Sequence, residues 1–224
     1  MRTRVKICCI MSVAEAELAI QHGADAIGLV GAMPSGPGVI DDATIAAIAA
    51  AIPPPIAAFL LSSEQTADAI AAHVEATGTS TVQVVSHIAR KEAARLAKLL
   101  PATRRVQVIH VESADALRLI SIYAPYVHAF LLDSGRPAEA ILGGTGETHD
   151  WHISAAFVAA SPLPVFLAGG LLPANVGDAI RTVRPYGIDI CSGVRTNDKL
   201  GAAKLRAFMK AVAAADAGLA SQRT

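Results

Sequence analysis

The sequence predicts a (β/α)8 barrel, an α/β fold in which eight parallel strands and eight helices alternate and close into a ring. Short apolar runs alternate with alanine-rich helical patterns along all 224 residues, as expected for parallel strands covered on both faces. Two glycine-rich turns follow the last two strands, where such barrels bind phosphate groups. The alternative is an open doubly wound sheet, for which five or six units would suffice.

The predicted strands are short, continuously apolar and bounded by turn residues. They are Val5–Ile10, Ala26–Val30, Ile56–Leu61, Thr81–Val85, Arg105–Val111, Val127–Asp133, Val165–Ala168 and Ile188–Cys191. The predicted helices alternate with them, and Asp41, Ser63 and Asn175 are N-cap residue types at three of their starts. They are Ser12–His22, Asp41–Ile52, Glu64–Thr77, Lys91–Leu100, Ser113–Ala124, Trp151–Ala160, Asn175–Val183 and Leu200–Ala215.

No break in composition divides the chain, so we predict one barrel domain over residues 1–216 and a loose C-terminal tail over 217–224. The one long connection, Ser134 to Asp150, follows the sixth predicted strand and contains GGTGETHDW. Long glycine-rich loops at the catalytic end of a barrel usually carry function. The GGTG within it lacks the strand and the acidic residue of a dinucleotide-binding fingerprint.

The composition of the chain limits the kinds of molecule that it is expected to bind. Nineteen basic residues balance nineteen acidic ones, which argues against nucleic acid or a membrane surface as a partner. The apolar run from Ile45 to Leu61 contains three prolines and is interpreted as helix, turn and strand, not as a membrane span. Without a signal-peptide pattern or a disulfide framework among three cysteines, the expected location is cytoplasmic. The seven histidines show no metal-ligand spacing, so no metal is expected.

The two glycine-rich turns are the strongest functional signal. They are PVFLAGGLLPANVGDAI, from Pro164 to Ile180, and GIDICSGV, from Gly187 to Val194. Glycine permits close approach of the backbone to an anion, and N–H groups at helix starts carry partial positive charge. The plain alternative is a pair of tight strand-to-helix turns.

Two residues at predicted strand ends could transfer protons. The thiol of Cys8 can act as a base if cationic neighbours lower its pKa, and the carboxyl group of Asp133 can act as an acid if burial raises its pKa. Equally simple structural roles are a buried small apolar residue for Cys8 and a turn cap for Asp133.

Strand alternation places Lys6 on the same face as Cys8, toward the barrel mouth, and turns Cys9 toward the helices. Lys6 could then lower the thiol pKa, or it could be a structural cation paired with Asp25 or Asp189. Cys191, in the last predicted strand, is expected to be a core residue.

Several motifs, in order along nearly the whole chain, resemble those of the phosphoribosylanthranilate isomerase family of tryptophan biosynthesis. They are VKIC (Val5–Cys8), GADAIGLV (Gly23–Val30), VQ (Val82–Gln83), LLDS (Leu131–Ser134), GGTGETHDW (Gly143–Trp151), LAGGLLPANVGDAI (Leu167–Ile180) and GIDICSGV (Gly187–Val194). The resemblance implies an Amadori rearrangement of an N-linked aminoaldose phosphate to an aminoketose, without metal or cofactor. By position, Asp133 resembles the family's general acid and Cys8 its general base.

The resemblance also implies a small phosphorylated substrate and a monomer or homodimer, since family members occur as both. The phosphate would rest on backbone amides near five residues: Gly169, Gly170, Asn175, Ser192 and Gly193. Lys6, Gln83, Gly144 and Arg195 are further candidates for the substrate pocket.

The sequence departs from the family pattern at four places. The family's arginine after the second strand, which addresses the anthranilate carboxylate, has no counterpart in the loop Met33–Ile40. Cys9 replaces a glycine, Val85 a histidine and Arg195 a glutamate. Arg195 could therefore assist phosphate binding or supply the missing carboxylate contact.

Three hypotheses remain open on the sequence. The first is a phosphoribosylanthranilate isomerase with a rearranged anthranilate pocket. The second is a paralogous isomerase of another phosphorylated aminosugar or sugar, and the third is a non-catalytic barrel that binds a phosphorylated metabolite.

Overall fold

The computed structural model describes residues 2–135 and 148–221. Within them eight strands close a barrel in chain order, β1 to β8, and each strand runs parallel to its neighbours. One helix follows each strand, which confirms the predicted (β/α)8 barrel.

The barrel strands are β1 Arg4–Ile7, β2 Ala26–Val30, β3 Ala57–Ser62, β4 Thr81–Val84, β5 Arg104–His110, β6 Ala129–Asp133, β7 Val165–Leu167 and β8 Gly187–Ile190, and a short antiparallel pair, Arg195–Thr196 with Lys199–Leu200, follows them. The helices are α1 Val13–Gln21, α2 Asp42–Ala51, α3 Ala67–Thr77, α4 Arg90–Leu99, α5 Arg118–Tyr123, α6 Trp151–Ala160, α7 Val176–Val183 and α8 Ala202–Ser221. Two 3-10 turns, Ala114–Leu117 and Ser192–Val194, precede α5 and follow β8.

Local chemistry explains where several helices begin. The side chains of Ser12, Asp41 and Thr66 each accept a hydrogen bond from a first-turn N–H group, and thereby cap α1, α2 and α3. The third helix therefore starts after Thr66, and the predicted cap, Ser63, lies outside it. Asn175 stands at the start of α7 as predicted, but its side chain does not cap that helix.

Three further predictions differ from the structure. β1 ends at Ile7, so the strand pattern does not continue to Ile10. The predicted fifth helix is divided into a 3-10 turn and the short α5. The last helix extends to Ser221, so residues 217–221 are helical and are not a loose tail.

Alternate residues of the strands separate two apolar layers, as the two-residue period requires. Residues such as Val106, Val108 and Leu131 fill the barrel interior, whereas neighbours such as Ile109 and Leu132 pack outward against the helices. In the described part of the chain no helix is both long and apolar enough to cross a membrane.

Candidate active site

A pocket opens at the carboxyl ends of the strands, the end at which barrels of this class carry their chemistry. Cys8 and Asp133 both line this pocket, although they lie far apart in the sequence. The other lining residues come from β2, β3, β4, β8 and the loops that follow the strands. They are Cys9, Val30, Met33, Ser35, Gly36, Pro37, Leu61, Gln83, Val85, Ala168, Gly169, Gly170, Leu171, Asp189, Ile190, Cys191 and Ser192.

A buried ion pair lies beneath the pocket. Register pairs Lys6 with Asp189 across β1 and β8, and the Lys6 Nζ atom lies 2.7 Å from Oδ2 of Asp189. The side chains are 0% and 7% exposed, and the ammonium group also lies 5.5 Å from the centre of the Phe59 ring. Burial disfavours the charged form of Lys6, but Asp189 and Cys8 outweigh it and raise the pKa of Lys6. The sequence left Asp25 and Asp189 open as partners for Lys6, and the structure shows that the partner is Asp189.

The thiol of Cys8 lies beside Lys6 inside the barrel. A Cβ atom at Gly28 would fall 2.7 Å from the Cys8 sulfur and 2.8 Å from Lys6 Nζ, so this glycine leaves room for both groups. The neighbouring Cys9 thiol and the charge of Lys6 lower the pKa of Cys8, against the opposing effect of burial. Geometry and charge therefore favour a thiolate at this position.

Asp133 ends β6 on the far side of the pocket. Burial raises its pKa to about 6, and the nearby Asp189 carboxylate acts in the same direction. One oxygen accepts a hydrogen bond from the Ser134 N–H group at 2.8 Å. Around neutral pH this carboxyl group therefore has a protonated fraction far larger than that of an exposed aspartate.

The loops after β7 and β8 bring the predicted phosphate residues together. Gly169 and Gly170 have φ angles of +83° and +59°, which favour glycine. The Asn175 side chain holds this turn, since its Oδ1 accepts from Leu172 N at 2.7 Å and its Nδ2 donates to the Gly170 carbonyl at 2.9 Å. Asn175 thus shapes the turn through its side chain.

Gly193 fixes how closely the two loops approach. A Cβ atom at Gly193 would collide with the Leu171 carbonyl oxygen, so only glycine fits there. Ser192 begins the 3-10 turn after β8 and lines the pocket beside Gly169 and Gly170. The paired turns thus converge on one edge of the site.

Two pocket candidates have different outcomes. Gln83 on β4 is buried and lines the pocket, and its Oε1 atom has no hydrogen-bond partner within the described protein. Gly144 lies outside the described residues, together with the rest of 136–147.

Arg195, which the sequence analysis named as a pocket candidate, is not among the described residues that line this pocket. Its guanidinium group bonds both oxygens of Glu15, at 3.0 and 2.8 Å, as well as the carbonyl oxygens of Asp198 and Cys9. Although burial opposes ionisation of Glu15, Arg195 holds the Glu15 pKa below its ordinary value. The guanidinium group of Arg195 is thus engaged by the Glu15 carboxylate of α1 and has a structural role.

The structure differs from the expectations for the other two cysteines. Because β1 ends at Ile7 and Cys9 has a φ angle of +61°, the backbone leaves the strand pattern and Cys9 faces the pocket. Its carbonyl oxygen accepts from Arg195, which helps hold this left-handed conformation. Cys191 lies just beyond β8, is partly exposed and also lines the pocket.

Asp189 is the pocket residue that the sequence analysis named only as a partner of Lys6. One oxygen bonds Lys6, while the other, Oδ1, is buried without a hydrogen-bond partner among the described residues. The available signal was its position in GIDICSGV, an acidic residue inside an apolar strand with the same facing as Cys191. Such residues rarely lie buried without a function or a partner.

The loop after β2 gives the pocket a neutral wall. Met33, Ser35, Gly36 and Pro37 line it, and none of the pocket-lining residues in the described ranges is a lysine, arginine or histidine. In the same ranges no group of three or more histidines, cysteines or carboxylates is arranged to hold a metal ion.

Comparison with known proteins connects this geometry to a family. The family model for N-(5'-phosphoribosyl)anthranilate (PRA) isomerase matches residues 5–211. The N-(5'-phosphoribosyl)anthranilate isomerase 2 of Methanosarcina mazei is 37% identical over 87% of both chains.

Solved structures show the same architecture. The phosphoribosyl anthranilate isomerase of Thermus thermophilus is 27% identical, with a TM-score of 0.81 over 95% of this chain and 99% of that one. A second isomerase structure, 23% identical with a TM-score of 0.79 over 95% and 99% of the two chains, contains reduced 1-(o-carboxyphenylamino)-1-deoxyribulose 5-phosphate. At that identity the second structure supports the fold alone.

Proposed function

Because the chain belongs to the N-(5'-phosphoribosyl)anthranilate isomerase family, we propose that it converts N-(5-phosphoribosyl)anthranilate to the corresponding 1-deoxyribulose 5-phosphate. The observation that carries the proposal is one pocket lined by a thiol of lowered pKa and a carboxyl group of raised pKa, beside two glycine turns. Such a divergence of pKa values is how a site assigns acid and base roles.

Asp133 acts as the general acid. Its pKa of about 6 leaves part of the population protonated near neutral pH, and the proton goes to the ring oxygen of the furanose. The ring then opens to an iminium ion, which acidifies the adjacent C–H bond at the second sugar carbon.

Cys8 acts as the general base for that C–H bond. A thiolate of modest basicity is adequate because the iminium ion has already weakened the bond. Lys6 keeps the thiolate charged, and its own ammonium remains neutralised by Asp189. The enolamine that results tautomerises to the ketone.

The remaining pocket groups orient the substrate. Backbone amides around Gly169, Gly170, Ser192 and Gly193 bind the phosphate, with Asn175 holding the first turn in shape. The Oδ1 atom of Asp189, which has no partner among residues 2–135 and 148–221, accepts a hydrogen bond from a sugar hydroxyl, which satisfies a buried acceptor that is otherwise costly.

A second candidate is isomerisation of another phosphorylated aminosugar. The neutral wall formed by Met33, Ser35, Gly36 and Pro37 favours it, since a carboxylate-bearing aromatic ring is usually bound by a cation. The acid, the base and the phosphate turns would serve both substrates equally.

The test is a direct fluorescence assay with N-(5-phosphoribosyl)anthranilate, together with rescue of a tryptophan auxotroph that lacks this isomerase. We expect turnover and growth. Cys8→Ser and Asp133→Asn should each reduce kcat by at least about 10²-fold, the usual contribution of one proton-transfer group, while thermal unfolding remains cooperative. Absence of turnover combined with binding of a ribulose phosphate analogue would favour the second candidate. Rates like those of the wild type in either variant would contradict the mechanism.

A further inference from the structure

A second cavity opens at the amino ends of the strands, on the face of the barrel opposite the candidate active site. Its volume is about 670 Å³, which is within the range of small-molecule sites. Three of the strands that line it begin with alanine, namely β2 with Ala26, β3 with Ala57 and β6 with Ala129. These short side chains leave space that larger ones would fill inside a barrel of eight strands. The proposed reaction uses only the other face, so this cavity has no assigned role.

Three aromatic rings form one side of the cavity. Phe59, Phe166 and Tyr186 all line it. The Phe59 and Phe166 rings meet edge to face with their centroids 6.0 Å apart, and the Phe166 and Tyr186 rings meet in the same way at 5.5 Å. Both phenylalanines are buried, whereas Tyr186 is 38% exposed. The rings thus extend from the buried floor of the cavity to its rim, and another flat ring can pack against them.

The cavity also contains a positive charge that lacks a carboxylate partner. Arg104 lies two residues before the inward-facing Val106 on β5, and its side chain lines the cavity. Within the described residues the guanidinium group of Arg104 makes no hydrogen bond or ion pair. Arg4 stands on β1, at the opposite side of the ring, and lies 3.6 Å from the Asp25 carboxylate. The β5 side of the cavity is therefore positive, whereas the charges on the β1 side are paired.

A hydrogen-bond donor lies beside this charge. His128 immediately precedes β6, the neighbour of β5, and lines the cavity. Its Nδ1 atom accepts from the Arg105 N–H group at 3.1 Å, so the ring proton is on Nε2, which has no hydrogen-bond partner among the residues that the structure describes. Burial and the positive charges of Arg105 and Arg104 lower the pKa of His128. The ring is therefore neutral at neutral pH and presents one N–H donor next to the Arg104 guanidinium group.

We propose that this cavity binds a small aromatic carboxylate. The carboxylate accepts hydrogen bonds from the Arg104 guanidinium group and from Nε2 of His128, and the ring occupies the space left by the alanines, against Phe166 and Tyr186. A second copy of this chain would suit the cavity less well, because a two-fold interface brings the same positive surface of both copies together. The inference does not depend on the proposed isomerase activity, since none of the described residues lines both this cavity and the candidate active site.

The test is a titration of the full chain with 2-naphthoate, followed by ligand-observed NMR. We expect saturable binding with a dissociation constant of about 1 mM or below, as is usual for a ligand of this size. Acetate, which lacks the ring, and 2-naphthalenemethanol, which lacks the charge, should each bind at least about tenfold more weakly. Binding should persist when a ribulose phosphate analogue fills the candidate active site. Equal binding of the three probes, or displacement of 2-naphthoate by the analogue, would overturn the proposal.

Variants of the cavity locate the bound ligand. Arg104→Gln removes the charge of an exposed side chain, so it should weaken binding of 2-naphthoate at least about tenfold and leave kcat for isomerisation unchanged. Arg118→Gln, at an exposed arginine of α5 outside the cavity, is the matched control and should bind like the wild type. Ala57→Leu places a larger side chain in the cavity and should prevent binding while Arg104 is still present.

Unchanged affinity in Arg104→Gln would overturn the proposal, whatever the outcome of the isomerase assay. A wild-type dimer, detected by sedimentation, that Arg104→Gln dissociates would also overturn it, because a second copy of the chain would then occupy this face.

Discussion

The two ends of the barrel place the same residue type under opposite conditions. At the amino ends of the strands Asp25 accepts hydrogen bonds from Arg2, at 2.8 and 2.5 Å, and from the Val5 N–H group at 2.9 Å. Burial opposes its ionisation, but these donors lower the pKa of Asp25. At the carboxyl ends Asp133 is half-buried with fewer donors among the described residues, and desolvation raises its pKa to about 6.

This difference indicates that the amino ends of the strands contribute to stability, whereas the carboxyl ends contain the groups available for chemistry. Asp25 fastens the start of β1 to the start of β2 and leaves little acceptor capacity unused. The opposite end contains Asp133, together with Oδ1 of Asp189 and Oε1 of Gln83, two atoms without a hydrogen-bond partner in the part of the chain that the structure describes. Unsatisfied buried groups cost free energy, and a barrel tolerates them where a substrate will supply the partners.

The strongest way to sharpen the comparison is to break the ion pair beneath the pocket. Lys6→Met leaves the Asp189 carboxylate buried without its cation, so we expect a loss of about 3–5 kcal/mol in unfolding free energy. The rate should also fall, because Cys8 loses the charge that favours its thiolate. Urea unfolding and a kcat measurement test both effects.

The control is the double variant Lys6→Met/Asp189→Leu. Replacing both partners with apolar groups removes the unpaired charge and should restore much of the stability, while activity stays low. Restored activity in the double variant would show that the Lys6–Asp189 ion pair is not needed for the reaction.

Arg195→Ala is expected to have the next largest effect, on stability and not on phosphate binding. The guanidinium group joins Glu15 of α1 to the carbonyl oxygens of Cys9 and Asp198, so its loss should cost about 2–3 kcal/mol. Affinity for a ribulose phosphate analogue, measured by calorimetry, should stay unchanged. Weakened phosphate binding in a folded variant would restore the role that the sequence first indicated for Arg195.

The sequence predicted the barrel well because its signals are local and repeated. Apolar runs and helical patterns recur eight times, so an error at one boundary, such as the early end of β1 at Ile7, does not change the topology. Cys8 and Asp133 were predicted because strand ends at the carboxyl face are where chemistry is expected, and both line the pocket.

What the sequence could not predict depends on contacts between distant segments. The engagement of Arg195 by Glu15 joins residues 180 positions apart, and charge alone indicated the pocket instead. The sequence analysis predicted that Cys9 faces the helices, because it took β1 to continue past Ile7. The left-handed turn there is held by tertiary contacts, which no short-range pattern reveals.

Asp25→Ala tests the amino-terminal end alone. The Val5 N–H group loses its acceptor and Arg2 its partner, so we expect a loss of about 1–2 kcal/mol in unfolding free energy and an unchanged kcat. Thermal unfolding and steady-state kinetics provide the measurements. A clear fall in kcat at full saturation with substrate would show that the two ends are coupled and would contradict the division described above.

The smallest expected effect is a pH dependence of stability that arises from Asp133. Because its pKa in the folded protein is raised from 3.8 to about 6, the native state retains a proton that the unfolded chain has lost in this range. Its contribution to stability is therefore fully present below pH 3.8 and is lost as pH rises toward 6. Asp25 and Glu15, with lowered pKa values, contribute in the opposite direction at low pH, so the measurement must be a difference between two proteins.

The quantity to measure is the unfolding free energy of the wild type minus that of Asp133→Asn, determined by urea titration at each pH from 4 to 7. We expect this difference to decline as the pH rises and to reach a plateau above about 6. A flat difference would mean that Asp133 titrates like an exposed carboxylate, and the contrast with Asp25 would then rest on position in the barrel and not on protonation.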